Sequence, residues 1–265
     1  MVNTIAVRIM GILNLTPDSF YDGGRYRDTG TALARAEKML EEGADIIDIG
    51  GESTRPGSEP VSPQEELDRV MPVLEAVCGL GARVSVDTSK AVVAEAALRC
   101  GAAIINDISA LRFDPGMAKV VAGSKAQIVL MHMKGLPRTM QDAPLYIDVL
   151  QEIGDFFRER IAYAENAGIR KEAIILDPGI GFGKRSKDNI TILKKIELFL
   201  DLGYPLMIGA SRKRVIGDIS GASAAERLPG SLALACLAAI RGVHVLRVHD
   251  VAETVQAIKV LKQVW

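Results

Sequence analysis

Three well-separated residues, Asp87, Asn106 and Asp177, each close a short apolar run, and their types suit a common ligand. Alternate residues of an extended strand share a face, so Ser85 goes with Asp87, Ile104 with Asn106 and Ile108, and Ile175 with Asp177. If those faces point inward together, two carboxylates and a carboxamide converge. An ionised carboxylate only accepts hydrogen bonds, whereas asparagine donates and accepts. The set suits a flat, nitrogen-rich heterocycle with amino and ring N–H groups, each charge-assisted bond contributing about 1.5–3 kcal/mol. A structural polar network, or metal ligation by the aspartates, is the alternative for the same residues. Asp107 falls on the face opposite Asn106, where a cap or a hydrogen bond in the helix layer is expected.

A second group is basic. Arg247 and His249 share a face at the end of the last apolar run, just before a helical pattern whose N-terminus attracts anions. Asn14 ends the first run and becomes their neighbour if the strands close into a ring. Such a set suits a diphosphate accompanied by Mg2+, an ion that keeps most of its waters. Lys213, two residues after Ser211, adds a cation beside the heterocycle. His132, after the fifth run, serves a site or the core equally well, and His244 is expected in the core. Segments 16–24 and 50–57 are rich in Gly, Pro and Ser, so they read as lids with little to hold them to the barrel. Segment 179–184, Gly-Ile-Gly-Phe-Gly-Lys, resembles a phosphate-binding loop only loosely, lacking the P-loop spacing and its Lys-Ser/Thr ending.

These residues need elements to position them. Apolar runs at 9–13, 46–49, 84–86, 104–105, 128–131, 174–176, 206–208 and 243–248 are mostly continuous, as in parallel strands buried on both faces. Helical patterns lie between them. One opens on the capping box Ser62-Pro63-Gln64-Glu65, one runs from Ile147 to a stop at Gly168, and the last starts at Asp250 with Glu253 three residues on. Strand followed by helix, eight times over, means a doubly wound sheet or a closed barrel. A doubly wound sheet gathers its polar residues at one switch point. Here every run ends in polar or glycine-rich residues, which predicts a (β/α)8 barrel with its site at the C-terminal mouth of the strands.

The 265 residues fit one such barrel domain over 1–265, with 48% hydrophobic and 25% charged residues as in a soluble globular protein. Acidic and basic residues number 33 and 32, a net −1, so nothing points to nucleic acid or an anionic membrane. No run approaches the roughly 18 apolar residues of a membrane span, and the start lacks the pattern of a secretion signal. The three cysteines, Cys78, Cys100 and Cys236, form no disulfide or zinc pattern and read as small core residues near helix ends. A cytoplasmic α/β protein acting on small molecules is what remains.

Eight segments carry a family resemblance: MGILNLTPDSF (10–20), DIIDIGGESTRPG (45–57), VSVDTSK (84–90), INDIS (105–109), LMHMKGLPRTMQ (130–141), ILDPGIGFGK (175–184), IGASRK (208–213) and RVHD (247–250). In order and over nearly the whole chain, they resemble the dihydropteroate synthases of the folate pathway, the pterin-binding barrel family that sulfonamides target. The resemblance implies a (β/α)8 homodimer that joins hydroxymethyl-dihydropterin diphosphate to para-aminobenzoate and releases pyrophosphate. It implies a pterin pocket of Asp87, Asn106, Asp177 and Lys213 with Ile108, Met131, Phe182 and Gly209 as walls. Asn14, Arg247 and His249 would hold the diphosphate, Asn14 as the Mg2+ ligand. Phe20, Thr54, Arg55, Pro56 and Phe182 would close over para-aminobenzoate. Catalytic roles would fall to Asp87, Asp177, Lys213, Arg247 and His249.

One departure stands out: many members have Ser-Phe after Ser-Arg-Lys, whereas this chain has Arg214-Val215. The Ser position is associated with the para-aminobenzoate carboxylate, which leaves Arg214 as a charged candidate for that contact. Methyltransferases that pass a methyl group to a corrinoid protein share the Asp-Asn-Asp pocket but are not expected to carry the Ser-Arg-Lys segment or the TPDSF loop. Intact lid and diphosphate residues argue against a barrel that merely binds. The alanine- and leucine-rich stretch 231–241 suits a dimer helix or barrel packing.

Overall fold

Strands this short and this apolar are stable only when covered on both faces, and the computed structural model, which describes residues 5–16, 27–54 and 57–265, shows how they are covered. The strands are β1 (Arg8–Asn14), β2 (Ile46–Gly50), β3 (Val84–Asp87), β4 (Ile104–Asp107), β5 (Gln127–Met131), β6 (Ile174–Asp177), β7 (Met207–Ile208) and β8 (Val245–Val248). All pair in parallel in the order β6-β5-β4-β3-β2-β1-β8-β7, and a single bridge between Leu176 and Leu206 joins the two ends. The expected barrel forms, with its thinnest seam between β6 and β7.

The first helices are α1 (Arg27–Glu41), α2 (Pro63–Gly79), α3 (Ala91–Cys100), α4 (Met117–Ala122) and α5 (Val149–Asn166). They are followed by α6 (Ser186–Lys194), α7 (Glu197–Leu200), α8 (Arg214–Ser220), α9 (Leu228–Ile240) and α10 (Val251–Val264). Their apolar sides meet the outward strand residues in the main core, with Phe157 and Phe199 fully buried. Inside the barrel, Met10, Ile46, Ile104, Val129, Ile175, Met207 and Val245 form a separate apolar plug. Two residues further along five of these strands, on the same face, come Asp48, Asn106, Asp177, Gly209 and Arg247. The plug is therefore the floor on which the polar mouth is built.

Several helix ends differ from expectation for local reasons. Helix α5 starts at Val149, not Ile147, because Asp148 caps it, accepting from Leu150 N at 3.0 Å and Gln151 N at 3.1 Å. Ile147 is left fully exposed. Only half of the capping box at α2 forms: Ser62 Oγ accepts Glu65 N at 3.1 Å, while the Glu65 carboxylate pairs with Arg69. Asp250 precedes α10 but turns its carboxylate to Arg212, at 2.8 and 2.5 Å. Cys78 and Cys100 lie near helix ends, half-buried, whereas Cys236 sits in the middle of α9. No helix among the described residues is long and apolar enough to cross a membrane.

Candidate active site

The inward face of β2, β3, β4 and β8 makes one charged network. Arg247 donates from Nε to Asp48 Oδ2 at 2.6 Å and from Nη2 to Asp87 Oδ2 at 2.8 Å. Asn106 Nδ2 also donates to Asp48 Oδ2, at 3.2 Å. Asp48, Asp87, Asn106 and Asp177 are all buried. Burial raises the Asp87 carboxyl to about 7 against the pull of the Arg247 guanidinium. Burial also disfavours the charge on Arg247, but Asp48 and Asp87 outweigh it and hold the guanidinium protonated. Asp177, raised by burial and eased by Lys213, accepts Gly179 N at 2.7 Å. Asp107, on the other face, accepts Ser109 N at 2.8 Å and Leu111 N at 2.7 Å, tying the turn after β4 as expected.

Segment 179–184 does the reverse of what a phosphate loop does. Lys184 Nζ, completely buried, meets the carbonyl oxygens of Gly179 at 2.9 Å, Phe182 at 3.0 Å and His132 at 3.2 Å, and His132 Nδ1 at 2.9 Å. Lys213 Nζ donates to Ile180 O and lies 4.6 Å from the Phe182 ring centre. The loop thus turns carbonyl oxygens toward two ammonium groups. It also packs tightly on the β5 loop: a Cβ on Gly179 would lie 2.1 Å from His132 O, and one on Gly183 2.1 Å from Lys134 O. Burial and Lys184 hold His132 far below its usual pKa, and its ring packs edge-on against Phe156, so its role is in the core. Burial pushes Lys213 down to about 8, opposed by the Asp177 carboxylate.

Above this floor opens a cavity of about 1130 Å³. Asn14, Thr54, Phe182, Gly209, Lys213, Arg214, Arg247 and His249 all line it. Ile108 and Met131 pack with Met133, Met140 and Phe182 into an apolar cluster beside it. Phe20, Arg55 and Pro56 lie outside the described residues. Two expectations change. Arg247 and His249 are not two free cations: Arg247 is engaged by carboxylates, and burial, reinforced by Arg247, pushes His249 down to about 4. The described residues of segment 50–57 are not loosely held either, since Arg69 Nη1 donates to Gly51 O at 2.9 Å and Gly57 N to Pro137 O at 3.3 Å. Arg214, with 86% of its side chain exposed, faces Asp218 at 3.4 Å on the rim.

Asp48, bonded to both Arg247 and Asn106, is a site residue that polar strand ends alone do not reveal. Its signal was present, a single charge between Ile47 and Ile49 in a strand otherwise free of polar side chains. Ser211 was noted only for its spacing; its Oγ accepts His249 N and contacts His249 Nδ1, both at 3.2 Å. In the tautomer where Nδ1 accepts the Ser211 hydroxyl hydrogen, Nε2–H is the donor of the neutral ring.

Residues 10–249 match the pterin binding enzyme family. The dihydropteroate synthase of Escherichia coli (strain K12) is 49% identical over 255 residues, 96% of this chain and 90% of that protein. That of Neisseria meningitidis serogroup B is 50% identical over 259 residues, 96% and 91% of the two chains. The solved dihydropteroate synthase of Yersinia pestis with a sulfonamide drug superposes with a TM-score of 0.92 at 44% identity, covering 97% and 94%. The Xanthomonas albilineans enzyme with 4-aminobenzoic acid gives a TM-score of 0.92 at 48% identity, covering 97% and 93%.

Proposed function

This chain belongs to the pterin binding enzyme family and is a transferase of the dihydropteroate synthase type, and from that premise we propose how its own residues carry the reaction. The substrates are hydroxymethyl-dihydropterin diphosphate and para-aminobenzoate, and the products dihydropteroate and pyrophosphate. The observation that carries this is the buried set Asp87, Asn106 and Asp177, from three different strands, which does not itself line the cavity but is joined to it by Arg247, bonded to Asp87 and, together with Asn106, to Asp48. Asp87 and Asp177 accept from the pterin's amino and ring N–H groups, and Asn106 both donates and accepts. Ile108, Met131 and Phe182 supply the flat apolar walls.

As the bond from the pterin methylene to the diphosphate oxygen breaks, carbon gains positive and oxygen negative character. The buried carboxylates stabilise the electron-poor ring, while Lys213 and Arg247, which line the cavity, face the leaving group. His249, neutral at pH 7, serves as a hydrogen-bond donor and not as a cation. The aromatic amine then attacks carbon, and its proton passes to released pyrophosphate. The described residues hold no cluster of three His, Cys, Asp or Glu side chains that would enclose a metal. Mg2+ takes few protein oxygens and keeps water and phosphate ligands; Asn14, whose neutral carboxamide lines the cavity, would hold it, and the ion would supply charge neutralisation at the pyrophosphate.

Thr54 and the rim residue Arg214 serve the para-aminobenzoate side, Arg214 by turning from Asp218 to the carboxylate. A homodimer belongs to the same reading, with the alanine- and leucine-rich helix α9 as its contact element. Asn14→Ala and His249→Ala test the division of the site. Both should weaken the Mg-diphosphate substrate at least about tenfold, the worth of one lost charge-assisted bond, and leave the free pterin alcohol nearly unchanged. Equal losses for both ligands would assign these side chains to the barrel and not to the anion.

A further inference from the structure

A cluster of ion pairs lies behind the mouth, outside the residues assigned above. Glu66, on α2, is completely buried, and its Oε2 receives Lys90 Nζ at 2.5 Å. The same ammonium donates to Glu52 Oε2 at 2.9 Å. The other oxygen of Glu52 accepts Val61 N at 2.8 Å, nine residues further along. One carboxylate therefore closes the two ends of the segment that leads from β2 to α2. Ser58 Oγ adds a bond to Ser53 O at 2.5 Å within it. A Cβ on Gly51 would lie 2.7 Å from Val70 Cγ2, so the start of the segment is pressed directly onto α2. Lys90 is itself fixed: it directly precedes α3, and its N–H donates to Thr88 Oγ1 at 3.2 Å.

Of these groups only Glu52 lines the cavity, next to Ser53 and Thr54; Lys90 and Glu66 do not. Burial works against the charge on Lys90, but its bonds to Glu66 and Glu52 outweigh it and raise the pKa. The ammonium is thus a permanent link from two barrel-fixed elements to the rim. An exposed ion pair would add little. Here three largely buried groups share one contact set, and removing the cation leaves two carboxylates unpaired.

We infer that Lys90 is a positioning residue for the second substrate, holding Ser53 and Thr54 at the cavity through Glu52. The inference rests on the reading above that this side of the cavity receives para-aminobenzoate. It separates the substrates, because the side-chain bonds of Lys90 go to Glu52 and Glu66 and none of them goes to Asp87, Asn106 or Asp177.

The test is initial-rate kinetics on the full chain with both substrates varied, for Glu52→Gln, Lys90→Arg and Lys90→Met. A glutamine at 52 offers only one acceptor oxygen for its two donor partners, while the Lys90–Glu66 pair persists, so this variant keeps its buried charges balanced. For Glu52→Gln, the KM for para-aminobenzoate should rise about tenfold and that for the pterin diphosphate stay within about twofold. Lys90→Met should shift it further in the same direction, and Lys90→Arg should recover part of the loss. If Lys90→Met does not fold, the other two variants decide. Unchanged KM values, or an equal rise in both, overturn the inference while a working wild-type enzyme leaves the parent reading standing. A wild-type protein that makes no dihydropteroate overturns the reading and the inference with it.

Discussion

At Asp87 two opposing effects meet: burial raises its carboxyl to about 7, and the Arg247 guanidinium 2.8 Å away pulls it down. Pterin N–H groups bond more strongly to the ionised carboxylate than to the neutral acid, so binding strengthens as pH rises through the Asp87 pKa. With that pKa, pterin affinity should climb by up to about eightfold between pH 6 and 7.5. Above that it should level off until Lys213, at about 8, loses its proton. Calorimetric titration across this range measures it, and Asp87→Asn should bind weakly with no such slope. An affinity flat from pH 6 to 7.5 in the wild type would show that Asp87 does not titrate against the ligand. The floor residues were legible because strand parity places Asp87, Asn106 and Asp177 on inward faces. Asp48 was not read because it sits mid-strand, away from the strand ends where polar residues were sought. The engagement of Arg247 with two carboxylates was equally out of reach, since it joins residues 160 and 199 positions apart.

Among the elements, the loop after β6 shows how backbone geometry and charge combine. Gly179 has φ +67° and Gly183 φ +61°, and in both a side chain would strike a carbonyl oxygen of the neighbouring loop. Gly221 has φ +74° but nothing within 4 Å of a Cβ. Gly221→Ala should therefore cost about 1 kcal/mol, the left-handed conformation alone. Gly179→Ala should cost about 3 kcal/mol or more, because the seam with His132 must also open. Denaturant midpoints compare them directly, and similar losses would mean that the seam adds nothing. Strands were the easiest elements to read, since burial on both faces leaves uninterrupted Ile, Val and Leu. The loop was harder, because its Gly and Lys pattern carries no sign of which way the carbonyls turn. Its cation-holding role follows from Lys184 and Lys213 arriving from different positions in the chain. Similarly, segment 50–57 looked unattached because its ties, Glu52 to Val61 and Arg69 to Gly51, are side-chain bonds to backbone.

For the whole molecule, the barrel divides its work along its axis. The apolar plug of Met10, Ile46, Ile104, Val129, Ile175, Met207 and Val245 seals the interior. The next inward positions include the charged Asp48, Asp177 and Arg247, and the loops beyond them frame a cavity of about 1130 Å³. This layering was legible as eight polar clusters following eight apolar runs, a pattern that a sheet with one switch point does not produce. If pterin binding deep in the barrel and pyrophosphate departure at the mouth are one reaction, the products report it. Purified protein with Mg2+, hydroxymethyl-dihydropterin diphosphate and para-aminobenzoate should yield dihydropteroate and pyrophosphate in equal amounts. Pterin diphosphate that binds without releasing pyrophosphate, or that is hydrolysed without joining para-aminobenzoate, would contradict it.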